Sequence, residues 1–134
     1  KKTPTPPPLK IPANNTIYGT EWQDFPDVSV PVICDMSSDI LSRPVDIKEF
    51  SLIYAGAQKN LGPAGVVIVI VKKAFLETAR ADLPPMLSYR NYADNDSLYN
   101  TPPVFAIYMV NKTLHWIKAQ GGVKAIAARN REKA

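Results

Sequence analysis

An α/β sheet with helical cover is the fold this sequence predicts, and three observations carry the prediction. Short apolar runs near 30–34, 50–55 and 66–71 read as strands, and helical stretches near 72–80, 103–119 and 123–131 follow and alternate with them. The first two strands are expected to be parallel. The third follows the second through only a short glycine loop, too short for a parallel crossover, and is expected to be antiparallel. Finally, 134 residues with 46% hydrophobic and 21% charged composition suffice for one modest core of a soluble globular protein.

Taken in order, residues 1–13 carry Pro4, Pro6, Pro7, Pro8 and Pro12. That density excludes a regular helix or a central strand, so the segment is expected to be extended or mobile, and residues 14–134 form the folded remainder. Asn14 to Thr20 is rich in turn formers, with Asn14 or Asn15 able to tolerate positive φ before a turn at Gly19. Thr16 in this loop reads as an ST-turn or a cap. After a turn at Pro26-Asp27, Val30 to Cys34 reads as a buried strand that delivers the carboxylate of Asp35. Asp35 can instead cap the turn Met36-Ser37-Ser38; Ser37, Ser38 and Asp39 are themselves caps or turn formers without assigned chemistry.

Phe50 to Tyr54 reads as a second buried strand, and Val66 to Val71 as an unbroken β-branched run of the kind sheets bury on both faces. Between them lies Ala55-Gly56-Ala57-Gln58-Lys59-Asn60-Leu61-Gly62-Pro63-Ala64-Gly65, a small-residue loop with one lysine. Strand ends are where open α/β sheets bind ligands, and Gly56, Gly62 and Gly65 let backbone approach an anion. Asp35 precedes Lys59 by 24 residues. Two successive parallel strands bring both to one sheet edge.

Lys72 to Arg80 is expected to be a short helix with Ala74, Leu76 and Ala79 facing inward, stopped by Pro84-Pro85. Residues 86–100, polar and aromatic, are expected to be a long loop. Thr101 is placed to cap a helix with Pro102 at its first position. Val104, Phe105, Ile107, Tyr108 and Met109 make its first two turns apolar nearly all round, which predicts burial, at a subunit interface or within the domain. Gly121-Gly122 ends this helix, and a last one follows from Val123.

The same residues exclude several classes of function. The net charge of +4 is spread over both ends and not interleaved with aromatics, so no nucleic-acid partner is expected. The six-residue run Val66 to Val71 falls short of the roughly 20 residues a spanning helix needs, so no membrane partner is expected. Lys1 and Lys2 lead into prolines and not into an apolar signal segment, and Cys34 has no intrachain partner for a disulfide. Both features point to a cytoplasmic protein. His115 is the single histidine, too few for a histidine metal cluster or a catalytic triad. Lys59 is followed by Asn60 and precedes Gly62, which does not fit a P-loop, where Lys follows the second glycine.

Three ordered blocks carry a resemblance. Cys34-Asp35-Met36-Ser37-Ser38-Asp39-Ile40-Leu41-Ser42-Arg43-Pro44, Tyr54 to Gly65, and Ser97-Leu98-Tyr99-Asn100-Thr101-Pro102-Pro103 resemble, at family spacing, the phosphoserine aminotransferases of the class V pyridoxal phosphate-dependent aminotransferase family. The resemblance covers about residues 14–134. It implies a central fragment of a fold type I large domain, a mainly parallel sheet with one antiparallel strand and helices on both faces. It implies pyridoxal 5'-phosphate as cofactor, with Lys59 as the catalytic lysine that attaches it and moves a proton. Asp35 is implied as the acid that pairs with its pyridine nitrogen, which withdraws electrons when protonated. Thr16 is placed beside its ring hydroxyl and Gln58 at its phosphate, and Asn100 with Thr101 at the phosphate site of a neighbouring subunit. The implied reaction moves an amino group between glutamate and 3-phosphohydroxypyruvate in serine biosynthesis, in a homodimer with shared active sites. The phosphate-binding turn, the stacking tryptophan, the substrate-binding arginines and the C-terminal small domain of that family lie outside these residues. The alternative is a non-catalytic interaction or dimerisation module that keeps the aminotransferase core.

Overall fold

The computed structural model describes residues 6–134. The first five residues of the proline-rich segment expected over 1–13 therefore lie outside the described residues. In chain order the strands are β1 (Leu9–Pro12), β2 (Asn14–Asn15), β3 (Thr20–Glu21), β4 (Val32–Asp35), β5 (Leu52–Gly56) and β6 (Val67–Val71). Four of them form a sheet in the order β1-β4-β5-β6, and β2 pairs with β3 in a separate antiparallel ladder. β4 and β5 are parallel, with Cys34 opposite Ile53 and Asp35 opposite Tyr54. β6 runs antiparallel to β5, from Gly56 opposite Val67 to Leu52 opposite Val71. Both directions agree with the sequence-based expectation.

Leu9–Pro12 of the proline-rich segment are extended and belong to the sheet. β1 lies parallel to β4, with Leu9 opposite Val32 and Pro12 opposite Asp35. Prolines are tolerated because β1 is an edge strand and Pro12, which has no N–H to donate, is its last residue. Leu9 N–H donates to Pro31 O at 2.9 Å, and Ala13 N–H to Asp35 O at 2.8 Å.

Alternation along the strands sorts the sheet into two faces. Ile11 and Ala13, Val32, Cys34 and Met36, and Ile53 and Ala55 turn inward into one buried cluster. Phe50 joins it, with Phe25 edge-on at 4.8 Å between ring centroids, and burial of each large side chain contributes about 1.5–3 kcal/mol. Lys10, Ile33, Asp35 and Tyr54 lie on the other face, none of them fully buried. β6 is not buried on both faces: it is an edge strand in this chain, and Val67 is 62% exposed.

Four α-helices follow, α1 (Lys73–Glu77), α2 (Tyr89–Asp94), α3 (Val104–Ala119) and α4 (Gly122–Lys133). α1 is shorter than the 72–80 expected; it has no side-chain cap, and Thr78 Oγ1 donates to Phe75 O at its end. Residues 86–100 are not one loop. A 3-10 turn over Pro85–Leu87 and then α2 occupy much of it, and Asn91 Nδ2 ties the two by donating to Pro85 O at 2.9 Å. α3 begins after Pro103 without a cap from Thr101, which lies before the helix in a non-regular stretch. Nor is α3 buried on most sides: Val104, Phe105 and Tyr108 are exposed, while Ala106, Val110 and Ile117 are buried. The helix reaches the core through Val110, against which Gly62 packs so closely that a Cβ there would lie 3.3 Å from Val110 Cγ2. Gly121, at φ +94°, makes the reversal between α3 and α4, a conformation that favours glycine.

Candidate functional site

Three segments that the sequence separates meet at one end of the sheet. The parallel strands β4 and β5 both finish there: β4 ends on Asp35, the turn after it holds Ser38, and the loop after β5 holds Gln58, Lys59 and Asn60. The β2–β3 hairpin supplies the third, with Thr16 at its tip. Asn15 Oδ1 shapes that tip by accepting from Ile17 N–H at 3.1 Å and Tyr18 N–H at 3.2 Å, an Asx turn, and Gly19 completes it at φ +65°. Neither asparagine needs the positive φ that their type allows.

The loop that carries Lys59 is closed at its base and pinned from inside. Ala57 N–H donates to Val66 O at 2.9 Å, just beyond the Gly56–Val67 pair. Leu61, fully buried, anchors the middle of the loop in the core. Gln58, Lys59 and Asn60, between the closed base and Leu61, are exposed. Lys59 Nζ donates to Thr16 Oγ1 at 3.3 Å, across 43 residues of sequence. Asn60 Nδ2 donates to both Ser38 O and Ile40 O at 3.1 Å, fastening the lysine loop to the turn after Asp35.

Asp35 is half-buried, and the turn behind it is built around its carboxylate. Ser37 N–H donates to Asp35 Oδ1 at 2.9 Å, while Ser37 Oγ accepts from Gly56 N–H at 3.0 Å and so stitches the ends of β4 and β5 together. Burial works against the charged carboxylate. The Ser37 N–H and hydroxyl, the Tyr54 hydroxyl and the Lys10 ammonium outweigh it, so the acid is held below its ordinary value of 3.8. Capping and charge storage are therefore two uses of one side chain. Cys34 is the opposite case: burial first, then Asp39 and Asp35, push its thiol up to about 12. It is an inert core residue.

Gln58 folds back over Gly56, where a Cβ would lie 2.5 Å from Gln58 Oε1. A side chain at position 56 would displace the Gln58 amide, the free end of an exposed side chain. Asn100 and Thr101 are exposed in the segment before α3, and Asn100 Nδ2 donates only to Thr101 O at 3.2 Å. The fold thus gathers Thr16, Asp35, Gln58 and Lys59 at one sheet edge and leaves Asn100 and Thr101 out of it.

Residues given no chemistry from the sequence hold this site together. Ser38 Oγ donates to Asn14 Oδ1 at 2.7 Å and lies 3.1 Å from Thr16 Oγ1. Asp39, 2% exposed, accepts from Ser42 Oγ and pairs with Arg43 Nη2 at 3.5 Å. Arg43 also donates from Nε to Glu21 Oε1 at 2.9 Å and from Nη2 to Trp22 O at 2.6 Å, which braces β3 against the turn after β4. Short sequence spacing from Asp35 was the only available signal for these roles.

A cleft of about 740 Å³ lies at the other end of the sheet, lined by Phe25, Val32, Val45, Ser51 and Lys72. None of the gathered site residues lines it. Among the described residues no group of His, Cys, Asp and Glu could hold a metal ion, and no helix is long and apolar enough to cross a membrane.

Comparison with known proteins gives concordant results. The family model described as aminotransferase class-V matches residues 3–134. A phosphoserine aminotransferase from Lysinibacillus sphaericus is 58% identical over 127 residues, covering 94% of this chain and 35% of the relative. A solved phosphoserine aminotransferase, studied for radiation damage of its Schiff base, superposes with a TM-score of 0.91 at 58% identity over 95% of this chain and 36% of its own. A PLP-bound phosphoserine aminotransferase from Trichomonas vaginalis gives a TM-score of 0.88 at 46% identity, covering 93% of this chain and 35% of its own. The chain spans about 35% of the length of the curated relatives it matches.

Proposed function

The chain belongs to the aminotransferase class-V family, and from that premise we propose that it carries the cofactor-anchoring part of a phosphoserine aminotransferase, cytoplasmic and homodimeric. The proposed reaction transfers the amino group of glutamate to 3-phosphohydroxypyruvate, giving phosphoserine and 2-oxoglutarate. One observation carries the reading: a lysine amine bonded to a threonine hydroxyl at the sheet edge where an aspartate is held in its charged form.

The donor set fits pyridoxal phosphate. Lys59 would hold it covalently, Asp35 would face the pyridine nitrogen, Thr16 the ring hydroxyl and Gln58 the phosphate. When bound, the cofactor supplies an electron sink for the charge that develops at an amino acid's Cα. The work of the chain is orientation and proton movement. Asp35, kept ionised by Ser37, Tyr54 and Lys10, retains the negative charge that a cationic ring nitrogen needs opposite it. Lys59 Nζ would be the base that accepts the proton from an amino acid's Cα and the acid that later gives it up, a role that requires the amine to be unprotonated when it accepts. Asn100 and Thr101, which make no hydrogen bond to the lysine loop among the described residues, are assigned to the phosphate site of a second copy.

The test is to add pyridoxal phosphate, record absorbance between about 330 and 430 nm, and trap the product with borohydride. Capture at Lys59, lost in Lys59→Ala, is the expected result; capture elsewhere or none refutes the reading. The exposed apolar side of α3 favours the second reading, a non-catalytic dimerisation module. That reading predicts association without cofactor capture. Sharing between subunits is tested in the complete enzyme by mixing an Asn100→Ala, Thr101→Ala variant with a Lys59→Ala variant. Both lesions then fall in one site of each heterodimer, so partial recovery of activity is expected, and no recovery despite confirmed exchange refutes it.

A further inference from the structure

We propose that Ser38 is the positioning residue for Lys59, acting through a hydrogen-bond chain of fixed direction that runs Lys59, Thr16, Ser38, Asn14. The proposal rests on the reading of Lys59 as the cofactor-anchoring amine. Its logic is donor counting. Asn14 Oδ1 carries only lone pairs, so the 2.7 Å bond uses the single proton of the Ser38 hydroxyl. Ser38 Oγ then has only lone pairs to offer at the 3.1 Å contact, and Thr16 must donate its own proton there. Thr16 Oγ1 is left with lone pairs alone facing Lys59, whose Nζ donates to it at 3.3 Å. An acceptor at the far end of the chain thus fixes the orientation of a hydroxyl at the near end.

Ser38 occupies the one position from which this is done. Its carbonyl is held by Asn60, the neighbour of Lys59, and its side chain meets both hydroxyl and amide of the hairpin. One residue joins the lysine loop, the turn after Asp35 and the β2–β3 hairpin. Without the Ser38 hydroxyl, Thr16 loses the partner that holds both its χ1 rotamer and the direction of its hydroxyl proton, and the amine loses a defined resting place.

Two readouts separate this proposal from the reading beneath it. Three-bond couplings of the Thr16 side chain, measured without cofactor, report its χ1 rotamer. One rotamer is expected in the wild type and in Ser38→Thr, and averaging among rotamers in Ser38→Ala. Capture of pyridoxal phosphate at Lys59, read by mass after borohydride, is expected to slow about threefold to tenfold in Ser38→Ala and to recover in Ser38→Thr. In a Thr16→Val background Ser38→Ala should change the rate of capture little, because its effect passes through Thr16. A single Thr16 rotamer in Ser38→Ala, or an undiminished loss of capture in the Thr16→Val background, overturns the proposal. If the wild type captures no pyridoxal phosphate, the cofactor reading fails and the rotamer measurement alone decides the role of Ser38. Asn14→Ala removes the terminal acceptor without touching Ser38, and should produce the same averaging; unchanged couplings there count against the chain.

Discussion

Replacing Arg43 by methionine keeps an apolar stem of similar reach and removes a guanidinium that holds Glu21, Trp22 and Asp39 at once. Its pair with Glu21 is partly exposed, at 21% and 35% side-chain accessibility, and is worth at most about 1 kcal/mol. The bond to Trp22 O at 2.6 Å is charge-assisted and contributes about 1.5–3 kcal/mol. Asp39 is the larger concern. At 2% exposure it would keep only Ser42, and breaking a buried pair costs about 3–5 kcal/mol when the partner charge is stranded. The 3.5 Å separation and the partial exposure of Arg43 place this case at the low end, and the terms overlap, so we expect a loss of about 3 kcal/mol in all. Urea unfolding followed by circular dichroism measures it. If stranded charge dominates, Asp39→Asn combined with Arg43→Met should be more stable than Arg43→Met alone by about 1 kcal/mol or more. A double variant that loses the full sum of both single changes, or an Arg43→Met chain within about 0.5 kcal/mol of wild type, refutes the reasoning. The hairpin gives an independent reading. Trp22 N–H, bonded to Ala13 O at 3.1 Å, should exchange faster in Arg43→Met, and chymotryptic cleavage after the exposed Tyr18 should accelerate.

Three further outcomes follow from the same structure. Cys34, with its thiol pushed up to about 12 by burial, should resist iodoacetamide at pH 8 in the folded chain and react only after denaturation; rapid stoichiometric labelling of folded protein would contradict its burial. Asp35 has a folded value below 3.8, so its ionised form contributes stability at neutral pH that is lost as pH falls through and below that value. Asp35→Asn should therefore narrow the stability difference between pH 7 and pH 3, and an unchanged pH dependence would count against the charged assignment. Leu61→Ala, at a fully buried position, should cost about 2–5 kcal/mol, measured as a fall in the urea midpoint, and should also slow capture of pyridoxal phosphate; a drop below about 1 kcal/mol would show that Leu61 is not the anchor of the loop.

The legible parts of the fold are those where a local pattern and the tertiary environment agree. β4, β5 and β6 announce themselves as apolar runs, and the shortness of the 57–66 connection fixes the antiparallel turn of β6. β1 was hidden by prolines, because composition cannot tell an edge strand ending in Pro12 from a chain with no pairing at all. α2 was hidden by a polar, aromatic stretch without helical period, and it forms with no side-chain cap. The burial expected of α3 failed because apolar residues report a preference for cover and not its presence. In the site, the shared edge of Asp35 and Lys59 follows from strand order. The approach of Thr16 to Lys59 came only from resemblance, since no spacing rule spans 43 residues. Ser38 was read as local turn chemistry and Arg43 was given no role of its own, because their partners on the hairpin lie about 20 residues away in sequence.

The closed base of the lysine loop acts as a ruler. β6 is a run of Val and Ile with apolar side chains on both faces, so sliding it by one residue past β5 would exchange one branched aliphatic side chain for another and meet little resistance from its own pattern. What holds the register is the count of residues between Gly56 and Val67, tied off by the Ala57–Val66 bond and weighted at the centre by Leu61. A single insertion or deletion there would be absorbed by slippage and not by unfolding. The sheet would survive and the lysine would be displaced from Thr16, so length variation in this loop should give folded proteins with a misplaced amine.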